Sequence, residues 1–565
     1  MSGEKKSKEL PEYIKNRIWL KTYPEGYPAE VEIPEDKDLY RIVDEARKKW
    51  GDEVNMIFYG RKVTRNEIAD GADRLATALH DLGVRKGDTV AIYLPNCPQF
   101  PMCYFGALRI GARVTAISPL FVPRELAYQL NDSESETLVL LDMFYPNLEQ
   151  IMDEVKLKNI IVVNIMGKKP NVEKKPGVYY FDELLERYPP DPPKVEINPK
   201  EDIAVLQYTG GTTGLPKGAM LTHYNILANA LQLLPGTLYM MKKMGFDKIK
   251  SLNILPWYHI YGQTCEVVTG ALVNSEAVVF AQFDPEAILD AINTFRPWLW
   301  LGVAAMLIAL LNHPKAAETD FSSLVYANMG AGPTPVEYMK KWKEVSGHPL
   351  SEGYGLTEAC PVTHTRNAII FGEIKEGSIG PPIPSTLAGI VDPETNEFLP
   401  IGEIGELVVS GPQVMKGYWK RPEETEDVFF EAGGYRWLKT GDIARMDEDG
   451  WFYIVDRTKD VIKYKGHSVY PREIEEVLYQ HPAVLECAVI GVPDPQTGEN
   501  IKAFISLKDE YKGKVTEQEI IEWSKKQLAA YKYPRMVEFV DAIPKTIVGK
   551  ILRRVLREQE AEKRK

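Results

Sequence analysis

Glycines, threonines and a lysine lie together in Thr209-Gly210-Gly211-Thr212-Thr213-Gly214-Leu215-Pro216-Lys217-Gly218. Glycine backbone can approach an anion closely, threonine hydroxyls and free N–H groups can donate to phosphate oxygens, and Lys217 adds charge. A Walker A loop is excluded by spacing, because Lys217 follows proline rather than glycine and precedes Gly218. A second group, Gly353-Tyr354-Gly355-Leu356-Thr357-Glu358, sets an aromatic ring between two glycines, where it can stack on a purine with both faces open. Thr357 and Glu358 add a hydroxyl and a carboxylate, a pair suited to phosphate and Mg²⁺. Lys439-Thr440-Gly441-Asp442 offers a carboxylate on a tight turn, fit for ribose hydroxyls. Two basic stretches follow, Asp456-Arg457-Thr458-Lys459-Asp460 with Ile462-Lys463-Tyr464-Lys465-Gly466, and Pro544-Lys545-Thr546-Ile547-Val548-Gly549-Lys550. Taken singly, the first reads as a solvated charged hairpin and the second as a loop before the last helix.

Short apolar runs alternating with helical spacing must position these groups. Strand-like Thr89–Leu94, helical Gln99–Ile110, strand-like Val114–Ile117, helical Pro123–Asn131 and strand-like Thr137–Leu141 form a series of parallel crossover units. Ile203–Tyr208 is a strand ending in the glycine–threonine loop, and Asn253–Leu255 is another, stopped by Pro256. Pro297–Leu311 is uncharged and apolar but too short to span a bilayer, so a buried strand entering a buried helix is expected. Beyond Asp456 the texture changes: Trp451–Asp456 and Val461–Tyr464 read as a hairpin, followed by a helix over Pro471–Tyr479, strands at Leu485–Val492 and Ile501–Leu507, a helix over Glu517–Leu528 and a helical, basic tail. The expected fold is α/β: a large N-terminal layered domain with parallel-rich sheets over 1–456 and a small mobile α+β C-terminal domain over 457–565, hinged near 456–459.

Composition narrows the function. The chain has 565 residues, 44% of them hydrophobic and 26% charged, with a net charge of −12. Such a chain is globular and presents no global field for nucleic acid. Its five cysteines, without metal-ligand spacing, predict reduced, buried thiols and a cytoplasmic protein. The first residues are acidic as well as basic and lead into no apolar core, so neither a secretory leader nor an integral membrane segment is expected.

In their order and spacing, these motifs resemble the adenylate-forming (AMP-forming) acyl-CoA synthetase superfamily, from about Asp38 to Arg554. Fatty-acyl-CoA synthetases and 4-coumarate–CoA ligases are the closest in look. The resemblance implies an acid–thiol ligase using ATP, Mg²⁺ and coenzyme A on a small-molecule carboxylic acid, with a homodimer common among relatives. It places Thr209, Gly210, Gly211, Thr212, Thr213, Gly214 and Lys217 on the phosphates. Gly330, Ala331, Gly332, Glu352, Gly353, Tyr354 and Gly355 fall around the adenine. Thr357 falls on the α-phosphate, Asp442 and Arg457 on the ribose, and Lys459 at the hinge. Glu358 becomes the Mg²⁺ ligand, and Lys463, Lys465 and Gly466 the residues that act with coenzyme A after the lid rotates. Lys550 becomes the catalytic lysine, with Thr213, Glu358 and His259 beside it.

Pro256-Trp257-Tyr258-His259-Ile260-Tyr261-Gly262 resembles the family's substrate segment, with His259 facing the carboxylate and Tyr258 and Tyr261 shaping the pocket. It contains no aspartate, so an amino-acid substrate would bury its ammonium unpaired. Val303, Ala304, Ala305 and Met306, with Gly330 and Ala331, suggest a floor with room for a medium- or long-chain fatty acid. The readings left beside it are an aryl or hydroxy-acid CoA ligase, a ligase that loads a carrier-protein thiol, and a non-catalytic nucleotide-binding scaffold. Arg553, Arg554 and Arg557 are expected to face solvent, and residues 1–37 carry no motif.

Overall fold

The computed structural model describes residues 9–209, 215–372, 374–465, 467–545 and 551–563. Two eight-stranded sheets form the body of the molecule. In the first, Ile203–Thr209, Arg113–Ala116, Thr89–Tyr93, Ser135–Leu141, Asn159–Val163 and Val178–Tyr180 run parallel in that spatial order. Thr89–Tyr93 is buried at every position, as a parallel strand covered on both faces must be. In the second, Ser351–Gly355, Tyr326–Gly330, Leu299–Val303, Ile249–Asn253, Ser275–Val279 and Val54–Phe58 run parallel.

The helices Arg65–Asp81 and Gln99–Arg109 cross tightly in the largest core cluster. Thr64 and Glu67 close a capping box that starts the first of them. A Cβ on Gly106 would come within 2.8 Å of the Ala72 carbonyl, so glycine is what lets the backbones meet. The apolar run at 297–311 is a strand, Leu299–Val303, running into a helix, Ala304–Asn312. No helix among the described residues is long and apolar enough to cross a membrane.

A third, antiparallel sheet holds Leu387–Val391, Gly405–Ser410, Tyr435–Met446, Phe429–Ala432 and Phe452–Arg457. The N-terminal segment without a motif covers it: Leu10, Ile14 and Trp19 pack with Leu387, Val391, Val408 and Trp437. The fourth sheet joins His467–Val469, Ile462–Tyr464, Gly498–Leu507, Val484–Asp494 and Met536–Phe539, with its own core of residues such as Ile474, Val489 and Ile505.

Several sequence expectations are corrected. Trp451–Asp456 and Val461–Tyr464 are not a hairpin. Phe452–Arg457 pairs with Tyr435–Met446, whereas Ile462–Tyr464 pairs with His467–Val469. The chain leaves one sheet and enters another between them, a change that β-propensity cannot register. The strand expected at Asn253–Leu255 ends at Asn253, because it begins earlier, at Ile249. Asp442 is not on a tight turn but within the twelve-residue strand Tyr435–Met446, which Gly441 bends with φ +74°. The basic tail is not all solvated. Arg553 ion-pairs with Asp460 and Glu475, and Arg557 with Asp460, leaving Arg554 exposed beside Glu558. All five cysteines are free; four are buried and Cys265 is half-buried.

Candidate active site

A cavity of about 2620 Å³ opens where the carboxyl ends of both parallel sheets face the third and fourth sheets. Crevices at strand carboxyl ends are where open α/β sheets bind ligands. The sequence motifs collect here because Thr209, Gly330 and Gly355 are each the last residue of a strand.

At one end, the Tyr354 hydroxyl donates to Asp442 Oδ2 at 2.6 Å, and Arg457 Nε lies 3.3 Å from Asp442 Oδ1. Burial, then the Asp442 charge, raises the Tyr354 phenol well above its usual pKa. It therefore stays protonated and donating. The ring is not open all round, since His364 meets it edge-on at 5.8 Å. A Cβ on Gly355 would fall 2.0 Å from the Pro361 carbonyl. Glycine there is a packing requirement of the chain beside the ring. Glu352 lines the cavity with its carboxylate already engaged: it takes the Thr334 N–H at 2.9 Å and pairs with buried Arg366. It thereby holds the 331–334 turn, in which Ala331 adopts φ +65° and Gly332 lines the cavity.

In the middle of the cavity, Thr209 pairs directly with Lys217 across an antiparallel hairpin. The motif is thus strand–loop–strand, unlike a Walker loop, which opens a helix. Gly210, Gly211, Thr212, Thr213 and Gly214 lie outside the described residues. Lys217 Nζ sits 5.2 Å above the Tyr418 ring and 3.9 Å from Glu424, and the Tyr418 hydroxyl donates to Glu358 Oε1 at 2.7 Å. Thr357 and Glu358 both line the cavity. Tyr418 is a site residue that no motif indicated. It arrives through the two-residue strand Gly417–Tyr418, paired with Met220 and Ala219, a signal too short to stand out in sequence. One carboxylate beside a phosphate site is the donor set that Mg²⁺ accepts along with water and phosphate oxygens. No group of three ligating side chains among the described residues could hold a metal on its own.

At the other end, His259 caps the short helix Ile260–Gly262, its Nδ1 accepting from Tyr261 N at 3.2 Å. That bond leaves Nε2 as the proton-bearing nitrogen of the neutral ring. Tyr258, His259 and Tyr261 all line the cavity. Burial pushes the Tyr258 phenol up to about 12. Asn328 Nδ2 donates to the Tyr261 hydroxyl at 3.0 Å. A Cβ on Gly330 would stand 2.9 Å from the Tyr261 ring, so glycine allows the ring to lie over the strand end. The floor differs from expectation. Ala304 and Ala305 line the cavity, but Val303 and Met306 are packed into the core with Trp300 and Leu307. Beyond Tyr261 the cavity continues past Leu233, Gly236, Leu299 and Leu301, residues that sequence reasoning missed because they come from separate elements.

The lid residues divide. Arg457, Lys459 and Lys545 line the cavity, as does Ile551, which bridges to Lys545; Lys550 lies outside the described residues. Lys463 and Lys465 do not line it. Lys463 Nζ donates to Ser468 at 3.0 Å, and Lys465 Nζ lies 5.6 Å from the Tyr464 ring; Gly466 is outside the described residues.

Fold and site together define a nucleotide-dependent α/β enzyme whose cleft is closed by a small C-terminal unit. The chain belongs to the AMP-binding enzyme family, with residues 43–419 matching the AMP-binding enzyme and 473–550 the AMP-binding enzyme C-terminal domain. It is 41% identical to a long-chain-fatty-acid–CoA ligase of Bacillus subtilis (strain 168), over 96% of this chain and 98% of that protein. It is 36% identical to one from Escherichia coli O6:H1, with the same coverage. ATP-bound MatB from Rhodopseudomonas palustris superimposes with a TM-score of 0.83 at 27% identity, covering 94% of this chain and 100% of that one. The apo form of the same enzyme reaches 0.72, with the same identity and coverage.

Proposed function

We propose that this chain converts a long-chain fatty acid, through an acyl-adenylate, to its acyl-CoA thioester. The observation that carries this reading is one continuous cavity. It runs from Tyr354 and Asp442, past Lys217 and Glu358, to an apolar depth behind Tyr261. A nucleotide and a long hydrocarbon chain could meet there end to end, at His259.

In the first half-reaction a carboxylate oxygen attacks the α-phosphorus of ATP. The new O–P bond forms as the bond to pyrophosphate breaks. Two anions meet, so fixed positive charge must offset their repulsion. Asp442 and Arg457 hold the ribose, Tyr354 the adenine, and Thr209, Lys217 and the loop at 210–214 the phosphates. His259 would donate to the carboxylate. Glu358 would hold Mg²⁺, which supplies charge to the phosphates. Lys550 bridges carboxylate and α-phosphate. In the second half-reaction the thiol of coenzyme A attacks the adenylate carbonyl, AMP leaves, and the thiol proton is released. The lid of residues 457–565 turns on the hinge at 456–459 between the two. Lys463 and Lys465, which do not line the cleft here, and Gly466 would then take the place of Lys550. The free thiols support a reducing cytoplasm, and a homodimer is the assembly to test by mass in solution.

The test is AMP release with free coenzyme A over a panel of straight-chain, aryl and hydroxy acids. A maximum among long chains is expected, and a maximum at acetate or an aryl acid would overturn the reading. Replacing coenzyme A with a pantetheinylated carrier protein should abolish turnover.

A further inference from the structure

At Glu266 the wall of the cavity carries a group that a hydrocarbon chain cannot satisfy. The helical wall beyond His259 changes character over Gln263–Val268, which is π-helical. Such segments are rare and often sit at functional sites. Glu266 lies in it, 7% exposed, and lines the cavity with Trp257, Cys265 and Gly270. Its Oε2 accepts the Trp257 indole N–H at 2.8 Å, whereas Oε1 has no hydrogen-bond partner.

Burial raises this carboxyl well above the ordinary range, against the pull of the indole and of the Leu255 and Ile254 peptide groups, which lie near without closing a bond on Oε1. The group is therefore a neutral acid. With Oε2 serving as the acceptor, the hydroxyl belongs on Oε1. A buried polar group without a partner is costly, and a plain alkyl chain passing it would leave that cost in place.

We propose that Glu266 forms a polar station in the acyl cavity that recognises a hydroxyl group carried along a long-chain fatty acid. A hydroxyl is the complement of a neutral carboxyl, since it accepts from the Oε1–H and can donate in return. The station lies seven residues beyond His259 on the same helical wall of the cavity. The recognised hydroxyl thus belongs to the body of the chain and not to the carbon beside the reacting carboxylate. This inference rests on the deep cavity being the acyl site, and it leaves the chemistry of both half-reactions unchanged.

The test compares octadecanoate with a positional series of hydroxyoctadecanoates by kcat/KM for thioester formation. In the unaltered enzyme, one position or a narrow band is expected to exceed its neighbours by about tenfold, the scale of one satisfied buried hydrogen bond. Glu266→Leu should flatten the series while keeping or raising turnover of octadecanoate. Glu266→Gln, which retains a donor, should keep part of the preference and covers the case in which the leucine variant does not fold. A flat series in the unaltered enzyme, with octadecanoate fully active, overturns this inference alone and assigns a bound water to Oε1. A preference that survives Glu266→Leu also overturns it. Inactivity towards every fatty acid would instead bring down the fatty-acid reading, and the station with it.

Discussion

The nucleotide end of the cleft and its acyl end are built on opposite principles. Around Asp442, a short hydrogen bond from Tyr354 and an ion pair with Arg457 converge on one buried carboxylate. Around Tyr261, positions are set by shape: Gly330 admits the ring, and Leu233, Leu299 and Leu301 only line the space beyond it. Directional bonds discriminate strongly, because a missing partner leaves a buried polar group unpaired. An apolar wall discriminates by about 1–3 kcal/mol per methylene. The molecule should therefore be exacting about its nucleotide and tolerant about its acid.

The largest effect is expected where the two ends meet. Lys550→Ala should cut adenylation, read as ATP–pyrophosphate exchange, by about 10²–10³. It should spare thioester formation from supplied acyl-adenylate; equal loss of both half-reactions in a folded variant would break the two-position account of the lid. Next, Asp442→Ala should raise the KM for ATP by about tenfold to a hundredfold, the scale of hydrogen bonds to a charged group. Its chain-length profile should not change, and a changed profile would mean that the two ends are not separable. Gly330→Ala presses on Tyr261 and should act in the opposite sense. The KM for ATP should hold, while kcat/KM for the longest acids falls by about tenfold relative to shorter ones.

The last prediction concerns the junction and predicts no change in rate at saturating substrate. Burial holds the Asp456 carboxyl up, to about 6. A group raised in the folded state contributes stability that is fully present below its unfolded value, near 4, and lost as pH rises through about 6. The free energy of unfolding should show that decline between pH 4 and 6, by up to about 3 kcal/mol. Asp456→Asn should remove the slope.

Legibility in the sequence follows the same division. Thr209, Lys217, Tyr354, Thr357, Glu358, Asp442 and Arg457 stand in short, punctuated motifs, and all line the cavity. Glycine marked places where backbone must pass closely, as at Gly355. Val303 was misplaced because small or branched letters after a strand do not say which face they occupy; only packing against Trp300 and Leu307 settles that. The Glu352–Arg366 pair escaped notice because it forms across two antiparallel strands whose register the sequence does not show, and Tyr418 because its partner Glu358 lies far off in the chain. The same holds for Arg553, whose carboxylate partners are Asp460 and Glu475.

By itself, the sequence determined the family, the alternation of strands and helices, and which residue types serve the nucleotide, because each of these is written in local spacing. Tertiary structure decided the depth of the acyl cavity, the burial of Glu266 and the separation of the strands on either side of the 456–459 segment. Those depend on which distant surfaces exclude water together, and no local pattern carries that information.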